Sequence, residues 1–273
     1  PAHRLMFAGG NTLNVSVFAA RSGATAGYVG AVADDIAGRH IRFSLEQEGV
    51  DTAHLREVEG ATAYCIIGHR EGDRVFLAPD LGVSRFQLNA ADLDFVSGHD
   101  VAHIGRSSGF DSVLSDVAAR TRLSYDFSTR HDADHLRRVS PLCFLATMSG
   151  GHISEKDAQK LAARAVQFGA TWALVTRGAQ GAILTSASGT YSSAAVSGTV
   201  IDTLGAGDTF IARTLVGLLR GENPDALLAA AAVRATDTCS RLGAFGRGAP
   251  ISEAIRTAHP DLISDSFSIV APT

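Results

Sequence analysis

Apolar runs rich in valine and isoleucine alternate along this chain with segments whose apolar residues recur at helical spacing. This alternation predicts an α/β fold with a mostly parallel sheet covered by helices. The predicted strands are residues 25–29, 101–104, 123–127, 143–146 and 172–176. The predicted helices are residues 11–22, 35–48, 111–120, 133–139, 154–168, 206–220 and 224–241, and Ser154-Glu155-Lys156-Asp157 has the form of a capping box.

One region departs from this alternation. Residues 61–78 alternate apolar and polar positions around Glu71-Gly72-Asp73-Arg74, which is typical of a hairpin with a tight turn. The sequence contains no Pro/Gly/Ser-rich linker, internal repeat or low-complexity tract. We therefore expect one large domain that carries a small β appendage.

Composition narrows the function classes. Charged residues are 19% of the chain and the net charge is −4, so a nucleic acid or an anionic membrane is not the expected partner. No apolar run is long enough to span a membrane, and no secretory leader is visible. Cys65, Cys143 and Cys239 are odd in number and widely spaced, which disfavours a disulfide framework or a zinc site. A cytoplasmic protein is expected.

The richest motif is Ile201-Asp202-Thr203-Leu204-Gly205-Ala206-Gly207-Asp208-Thr209-Phe210, which leads directly into an apolar helix. The free N–H groups of a first helical turn bind anions, and the helix dipole favours negative charge there. Asp208 lies in that turn, so a carboxylate is placed beside an anion hole. This arrangement suits removal of an alcohol proton during phosphoryl transfer and predicts a small-molecule kinase. The chain has no Gly-Lys pair, which excludes a P-loop.

Several segments resemble, in the same order, those of the PfkB (ribokinase-like) family of carbohydrate kinases. They are Gly9-Gly10-Asn11-Thr12-Leu13-Asn14-Val15, Gly30 to Gly38 with Glu48-Gly49-Val50-Asp51, Val175-Thr176-Arg177-Gly178-Ala179-Gln180-Gly181-Ala182, and the motif ending in Asp208. The resemblance implies a three-layer α/β/α domain over residues 1–273. It also implies a small β-sheet lid from about residues 1–8 and 61–78, of the kind that often pairs two subunits into a homodimer.

The resemblance also assigns roles to individual residues, with ATP and Mg²⁺ as the implied cofactors. Asp208 is the expected base, and the backbone of Gly205, Ala206 and Gly207 forms the anion hole. The expected sugar contacts are Gly9, Gly10, Asn11 and Asn14, whose amides offer both donors and acceptors to hydroxyl groups. Thr176, Arg177, Gly178, Gly181 and Gly243 are expected at the nucleotide. Asp202 and Thr203 are candidates for a monovalent cation such as K⁺, or simply for capping the loop.

Two features depart from the family pattern. The family commonly places Asn-x-x-Glu where this chain reads from Thr147 to Glu155 without any Asn, so Glu155 or Ser149 is expected to serve Mg²⁺. The family also begins with a strand whose Asp binds the sugar, and this sequence starts just after that point. The expectation is that this first strand is absent here.

The acceptor is left open among several sugars. The Gly-Gly-Asn segment, Ser124-Tyr125-Asp126-Phe127-Ser128 and the stretch from Cys239 to Gly246 are more similar to the fructosamine (fructoselysine) 6-kinase subgroup than to ribokinase. That subgroup would phosphorylate the C6 hydroxyl of a fructosyl-amino acid. Plain fructose, ribose, another ketose or a nucleoside are the alternatives within the family.

Two other classes of function compete with a kinase. Gly105-Arg106-Ser107-Ser108-Gly109 matches Gly-x-Ser-x-Gly after a predicted strand, as in a serine hydrolase, and four downstream residues could complete a triad: Asp126, Asp134, His152 and His259. A non-catalytic sugar sensor on the same fold is the third hypothesis.

Overall fold

The computed structural model describes residues 5–70 and 73–260. The strands are β1 (Leu5–Met6), β2 (Gly30–Val32), β3 (Leu55–Glu57), β4 (Tyr64–Arg70), β5 (Asp73–Asp80), β6 (Val101–Gly105), β7 (Arg122–Asp126), β8 (Cys143–Ser149), β9 (Trp172–Thr176), β10 (Ala182–Ser186), β11 (Gly189–Ser193) and β12 (Ala249–Pro250). The helices are α1 (Asn11–Arg21), α2 (Ile36–Gln47), α3 (Ala90–Ser97), α4 (Leu114–Ala118), α5 (Ala133–Val139), α6 (Glu155–Gln167), α7 (Ala206–Leu219), α8 (Pro224–Cys239) and α9 (Glu253–Ala258).

The main sheet has the strand order β11-β10-β9-β8-β7-β6. Strands β6 to β9 run parallel, whereas β10 and β11 are antiparallel to their neighbours. The parallel strands therefore end at one edge of the sheet, where Gly105 pairs with Asp126 and Ser149 pairs with Thr176. In such sheets ligands bind beyond the carboxyl ends of the strands.

Successive residues of the strands point to opposite faces, and each face has its own apolar core. On β8, Leu145 belongs to a cluster with residues of α1, α7 and α8, whereas the next residue, Ala146, belongs to a cluster with residues of α4, α5 and α6. Helices thus cover the sheet on both sides. This confirms the predicted three-layer α/β/α architecture, although the sheet is mixed at its β10–β11 end.

Three short strand pairs lie outside the main sheet. β2 pairs in parallel with β3, β4 pairs with β5, and β1 pairs with β12. The predicted hairpin within residues 61–78 corresponds to β4 and β5, while part of its predicted turn, 71–72, lies outside the described residues. In segment 1–8, residues 1–4 lie outside them as well, and β1 is joined to β12.

A cavity of about 520 Å³ lies between the edge strand β6 and the segment from Ala24 to Val29. The predicted strand at residues 25–29 is wrong, because the strand begins at Gly30 and only the bridge between Gly27 and Asp51 precedes it. Among the described residues, this segment exchanges backbone hydrogen bonds with Asp51 through Ala26 and Tyr28, and the cavity separates it from β6.

The helix starts follow the capping residues in the sequence. Asp35 accepts the Gly38 N–H at the start of α2, and Ser154 accepts the Asp157 N–H at the start of α6, as predicted. In the described part of the chain, no helix is both long and apolar enough to cross a membrane.

Candidate active site

The first turns of α1 and α7 meet beyond the carboxyl end of β7. Asn11 is the first residue of α1, which packs against α7. Asp208 lies in the first turn of α7, and Asp126 is the last residue of β7. Three elements that are far apart in the sequence thus place polar side chains at one point.

Asp208 is held by two asparagine amides. Asn11 Nδ2 donates to Asp208 Oδ1 at 3.1 Å, and Asn14 Nδ2 donates to Asp208 Oδ2 at 2.6 Å. Asn11 and Asn14 lie on the same face of α1 because they are three residues apart. The structure therefore brings together the predicted base and two of the predicted sugar contacts, and it fixes both oxygens of the carboxylate.

Asp126 also belongs to this group, although the sequence assigns it only to a possible hydrolase triad and to a segment that resembles the fructosamine 6-kinase subgroup, with no role in phosphoryl transfer. Its Oδ2 accepts the Asn11 Nδ2 at 2.9 Å, and its Oδ1 accepts Ser128 N and Thr147 Oγ1, both at 3.0 Å. Burial raises the pKa of the Asp126 carboxyl, although the three hydrogen bonds act in the opposite direction. An acidic residue at the end of a predicted parallel strand is the signal that could have identified it.

Two acceptor atoms at this point receive no hydrogen bond in the described part of the chain. The Oδ1 atoms of Asn11 and Asn14 are buried and accept no hydrogen bond from the described residues. The amide orientations follow from the neighbouring carboxylates, because only an NH₂ group can face them. A buried acceptor without a donor is rare in proteins, so these atoms are suited to receive hydroxyl groups of a ligand.

The loop before α7 leaves the first helical turn open. Gly205 is the N-cap with φ +79°, and a Cβ there would lie 2.5 Å from the Ala244 Cβ. Among the residues that the structure describes, no side chain caps the helix. Gly207 lies within the α-helix, is exposed and has no atom within 4 Å of an added Cβ, so it does not need the conformational freedom that Gly205 uses. The backbone N–H groups in the first turn of α7 therefore have space beside them for an anion.

The predicted nucleotide segment forms a tight turn after β9. Arg177 N donates to the Gly181 carbonyl at 2.7 Å, and a Cβ on Gly181 would lie 1.9 Å from the Ser193 carbonyl oxygen. The guanidinium of Arg177, which is only 7% exposed, hydrogen-bonds Gln180 and lies 3.6 Å from a carboxylate oxygen of Glu155. Arg177 therefore forms an ion pair with Glu155, one of the two residues expected to serve Mg²⁺.

Asp202 ties the α7 loop to Gly243. Its two carboxylate oxygens accept the Leu204 N–H and the Gly243 N–H, each at 3.0 Å. The neighbouring Thr203 is exposed, and its carbonyl accepts the Ala206 N–H at 3.3 Å. Among the described residues, no group of three or more His, Cys, Asp or Glu side chains could hold a metal. The cation role of Asp202 and Thr203 stays a prediction.

Ser107 lies in a short 3₁₀ turn after β6, and no described histidine hydrogen-bonds it. The side chains considered as its partners contact other groups: Asp126 binds Asn11, Asp134 pairs with Arg137, His152 stacks on His131, and His259 hydrogen-bonds Tyr64. The nucleophile elbow prediction therefore lacks its triad in the described part of the chain.

Comparison with known proteins gives consistent matches. Residues 2–123 and 144–250 match the pfkB family carbohydrate kinase description. Fructosamine kinase FrlD of Bacillus subtilis is 37% identical over 249 residues, which are 89% of this chain and 88% of that protein. Fructoselysine 6-kinase of Escherichia coli is 31% identical over 241 residues, covering 88% of this chain and 92% of the relative.

Solved structures share the fold. A putative ribokinase II from E. coli, in complex with ATP and Mg²⁺, has a TM-score of 0.75 at 22% identity and covers 86% of this chain and 83% of its own. Ribokinase of Arabidopsis thaliana, complexed with ribose and ATP, has a TM-score of 0.75 at 19% identity and covers 95% of this chain and 88% of its own. At these identities the similarity shows the fold alone.

Proposed function

Since the chain belongs to the pfkB family of carbohydrate kinases, we propose that it transfers the γ-phosphoryl group of ATP to a primary hydroxyl of a fructosyl-amino acid. The observation that carries the proposal is the Asp208 carboxylate, fixed by Asn11 and Asn14 in the first turn of an uncapped helix. A base and an anion site side by side are the two functions that phosphoryl transfer to an alcohol requires.

In the proposed reaction the acceptor hydroxyl oxygen forms a bond to the γ-phosphorus, and the bond from that phosphorus to the ADP oxygen breaks. The hydroxyl proton passes to Asp208. The N–H groups of Gly205, Ala206 and Gly207 are assigned to stabilise negative charge on the transferring group, because they lie at the N-terminus of α7, where the helix dipole favours an anion. Gly9 and Gly10 let the sugar approach the backbone, and the free Oδ1 atoms of Asn11 and Asn14 accept its hydroxyl groups.

ATP with Mg²⁺ on its phosphates would supply the phosphoryl group. The open N-terminus of α7 fits the phosphates, and the turn of Thr176, Arg177, Gly178 and Gly181, with Gly243, is proposed to hold the nucleotide. A single carboxylate suffices for Mg²⁺, because that ion keeps several waters and binds substrate phosphates. We assign that carboxylate to Glu155, which would leave Arg177 on ATP binding, and we keep Asp202 and Thr203 as the K⁺ candidates.

The fructosyl-amino acid class is favoured by sequence. Fructosamine kinase FrlD is 37% identical to this chain and the fructoselysine 6-kinase 31%, whereas a fructokinase of Klebsiella pneumoniae is 30% identical over 88% of this chain. The alternatives within the family are fructose, ribose and a nucleoside. Because the reaction consumes ATP, we expect it to run in the cytoplasm.

The hairpin β4–β5 is proposed as the lid. It is a two-stranded sheet apart from the main sheet, and such hairpins are marginally stable alone. Leu77 on β5 and Leu81 just after it are 45% and 48% exposed. Covering these side chains with a second copy of the chain would stabilise the hairpin and give a homodimer. Light scattering on the purified protein would show a single chain mass if this proposal is wrong.

The reaction is tested by ADP release with Mg·ATP against fructoselysine, other fructosyl-amino acids, fructose, ribose and adenosine. We expect the highest kcat/KM on a fructosyl-amino acid and slow ATP hydrolysis without an acceptor, since the closed lid would exclude water. Faster turnover on fructose, ribose or adenosine would move the assignment to that acceptor. No turnover on any acceptor, by folded protein that binds ATP and a sugar, would favour the sensor hypothesis.

A further inference from the structure

One amide nitrogen joins two carboxylates at this site. Asn11 Nδ2 lies 2.9 Å from Asp126 Oδ2 and 3.1 Å from Asp208 Oδ1. The NH₂ group has two hydrogens, so it can serve both oxygens at once. The carboxylates are thereby held within two hydrogen-bond lengths of each other, although they come from β7 and α7.

This bridge decides which way the Asn11 side chain faces. With its NH₂ group engaged by Asp126 and Asp208, its Oδ1 is turned away from both, where it lies 2.4 Å from the position of an added Cβ on Gly105. Without Asp126, one of the two hydrogens would lose its acceptor. The amide could then rotate, and the Oδ1 could approach Asp208 only with electrostatic repulsion.

Asp126 is held in place by contacts other than the one with Asn11. Its Oδ1 accepts Thr147 Oγ1 from the neighbouring strand β8, and Thr147 is fully buried. The same Oδ1 accepts the N–H of Ser128, a residue with φ +56°. Asp126 is 7% exposed. The position of Asn11, the first residue of α1, is therefore set by the sheet through the hydrogen bonds of Asp126.

We propose that Asp126 is a positioning residue for phosphoryl transfer, which orients Asn11 so that the acceptor sugar and the base Asp208 are aligned. The inference rests on the proposed function. It assigns to Asp126 no contact with the phosphoryl group. Its effect on the reaction passes entirely through the Asn11 amide, and this sets it apart from a residue that only stabilises the turn at Ser128.

The test is a double-mutant cycle with Asp126→Asn, Asn11→Ala and the double variant, in which kcat and KM for the best acceptor are measured. We expect Asp126→Asn to lower kcat about 10- to 100-fold, because small misplacements of reacting groups have effects of this size. In the Asn11→Ala background, the same change should have almost no further effect on kcat, since the residue through which it acts is gone. KM for ATP should stay within about twofold in every variant, as expected of a change confined to the acceptor side.

Asp134→Asn is the matched control, because Asp134 is an exposed carboxylate at the start of α5 that pairs only locally with Arg137. It should leave kcat unchanged. Should Asp126→Asn fail to fold, Thr147→Val removes one donor to the same carboxylate, and we expect a fall in kcat of about two- to tenfold that also vanishes without Asn11.

The possible failures are distinct. Wild-type protein that phosphorylates none of the acceptors would overturn the proposed function and this inference with it. Active wild-type protein would overturn this inference alone if Asp126→Asn retained full kcat, or if its effect multiplied with that of Asn11→Ala. A change in melting temperature without coupling to Asn11 would assign Asp126 to the turn only.

Discussion

The two sides of the candidate site are built in different ways. The acceptor side consists of Asn11, Asn14, Asp126 and Asp208, whose side chains are joined although Asn11 is more than a hundred positions from either carboxylate. The nucleotide side consists of the turn 176–181, in which Arg177 bonds Gln180 and Gly181, three and four positions away, and contacts Glu155 from the start of α6.

This difference indicates what each side needs. On the acceptor side, polar side chains from α1, β7 and α7 must be placed to fractions of an ångström, and the whole fold positions them. On the nucleotide side and in the anion hole, the backbone conformation matters most, and added side-chain atoms would clash with neighbouring groups or with the ligand. Substitutions that remove polar groups should therefore affect the first side, and substitutions that add a Cβ should affect the second.

Asp208→Asn should have the largest effect. It removes the proton acceptor while nearly keeping the shape of the side chain, so we expect kcat to fall about 10²- to 10⁴-fold with little change in acceptor binding. One of the two hydrogen bonds that Asn11 and Asn14 donate to residue 208 is also lost, because the amide of the new asparagine has only one acceptor oxygen. Steady-state kinetics and calorimetric titration of the acceptor measure the two effects.

Asp225→Asn is the control for this prediction. Asp225 is an exposed acidic residue in the first turn of α8, so it shares the helix-end environment of Asp208 but lies outside the site. Its kcat should match the wild type. Retention of a tenth of the wild-type rate by Asp208→Asn would contradict the role of Asp208 as base.

Gly207→Ala should separate activity from stability. No atom lies within 4 Å of a Cβ added to this helical position, so the folded protein accepts the methyl group and gains about 1 kcal/mol of helix propensity. The methyl would extend into the space proposed for the phosphoryl group, and we expect kcat to fall on the order of 10²-fold. Thermal unfolding and kinetics on the same sample should thus change in opposite directions; unchanged kcat would remove Gly207 from the anion hole.

Gly181→Ala should act mainly on the structure of the nucleotide turn. The added Cβ would lie 1.9 Å from the Ser193 carbonyl oxygen at φ +88°, so the turn must move, at a cost of about 2–3 kcal/mol. We expect a lower melting temperature and a raised KM for ATP, with KM for the acceptor nearly constant. Gly178→Ala is the matched control: its φ is also positive at +57° but no atom is near, and a cost of about 1 kcal/mol is expected. An equal loss of unfolding free energy in Gly181→Ala and Gly178→Ala would refute the steric argument.

The same contrast explains what the sequence could predict. The helix and strand pattern gave β9 at residues 172–176 and α5 at residues 133–139, because period and capping are local properties. The motif at Asp208 and the Gly-Gly-Asn segment indicated which residues carry chemistry. Neither indicated that Asn11 joins Asp208 to Asp126, since this contact depends on how α1 and α7 pack against the end of β7.

Some missed elements did have a local signal. Helix α3 begins with a complete capping box between Asn89 and Asp92, and the β10–β11 hairpin has a turn at Ser188-Gly189 between the apolar run that begins β10 and the β-favouring Thr190-Tyr191 of β11. Among the described residues, the segment predicted as a strand at 25–29 forms only the bridge between Gly27 and Asp51, and a cavity separates it from β6. A strand depends on its neighbour for hydrogen bonds, so a pattern alone does not establish one.

The smallest predicted effect concerns the loop that carries Gly243. Arg21 donates to the Phe245 carbonyl at 3.1 Å and is itself held by Glu48, which also accepts a hydrogen bond from Arg247 at 2.9 Å. Burial acts to raise the pKa of Glu48, but the hydrogen bonds and charges of the two arginines outweigh it and lower the pKa below the usual value of 4.5. Glu48→Gln should therefore cost about 1 kcal/mol after screening by solvent, or about 2–4 °C in melting temperature.

The pH dependence identifies the cause. A carboxyl whose pKa is lowered by folding stabilises the protein above its unfolded pKa, and this contribution disappears as the pH falls through the folded value. The difference in melting temperature between wild type and Glu48→Gln should be complete at pH 7, begin to shrink below about pH 4.5 and vanish at lower pH. Glu46→Gln, an exposed change in the last turn of α2, just before Glu48, should show no such difference. A difference that is constant with pH would assign the effect of Glu48 to packing, and not to its charge on the two arginines that hold the loop of Gly243.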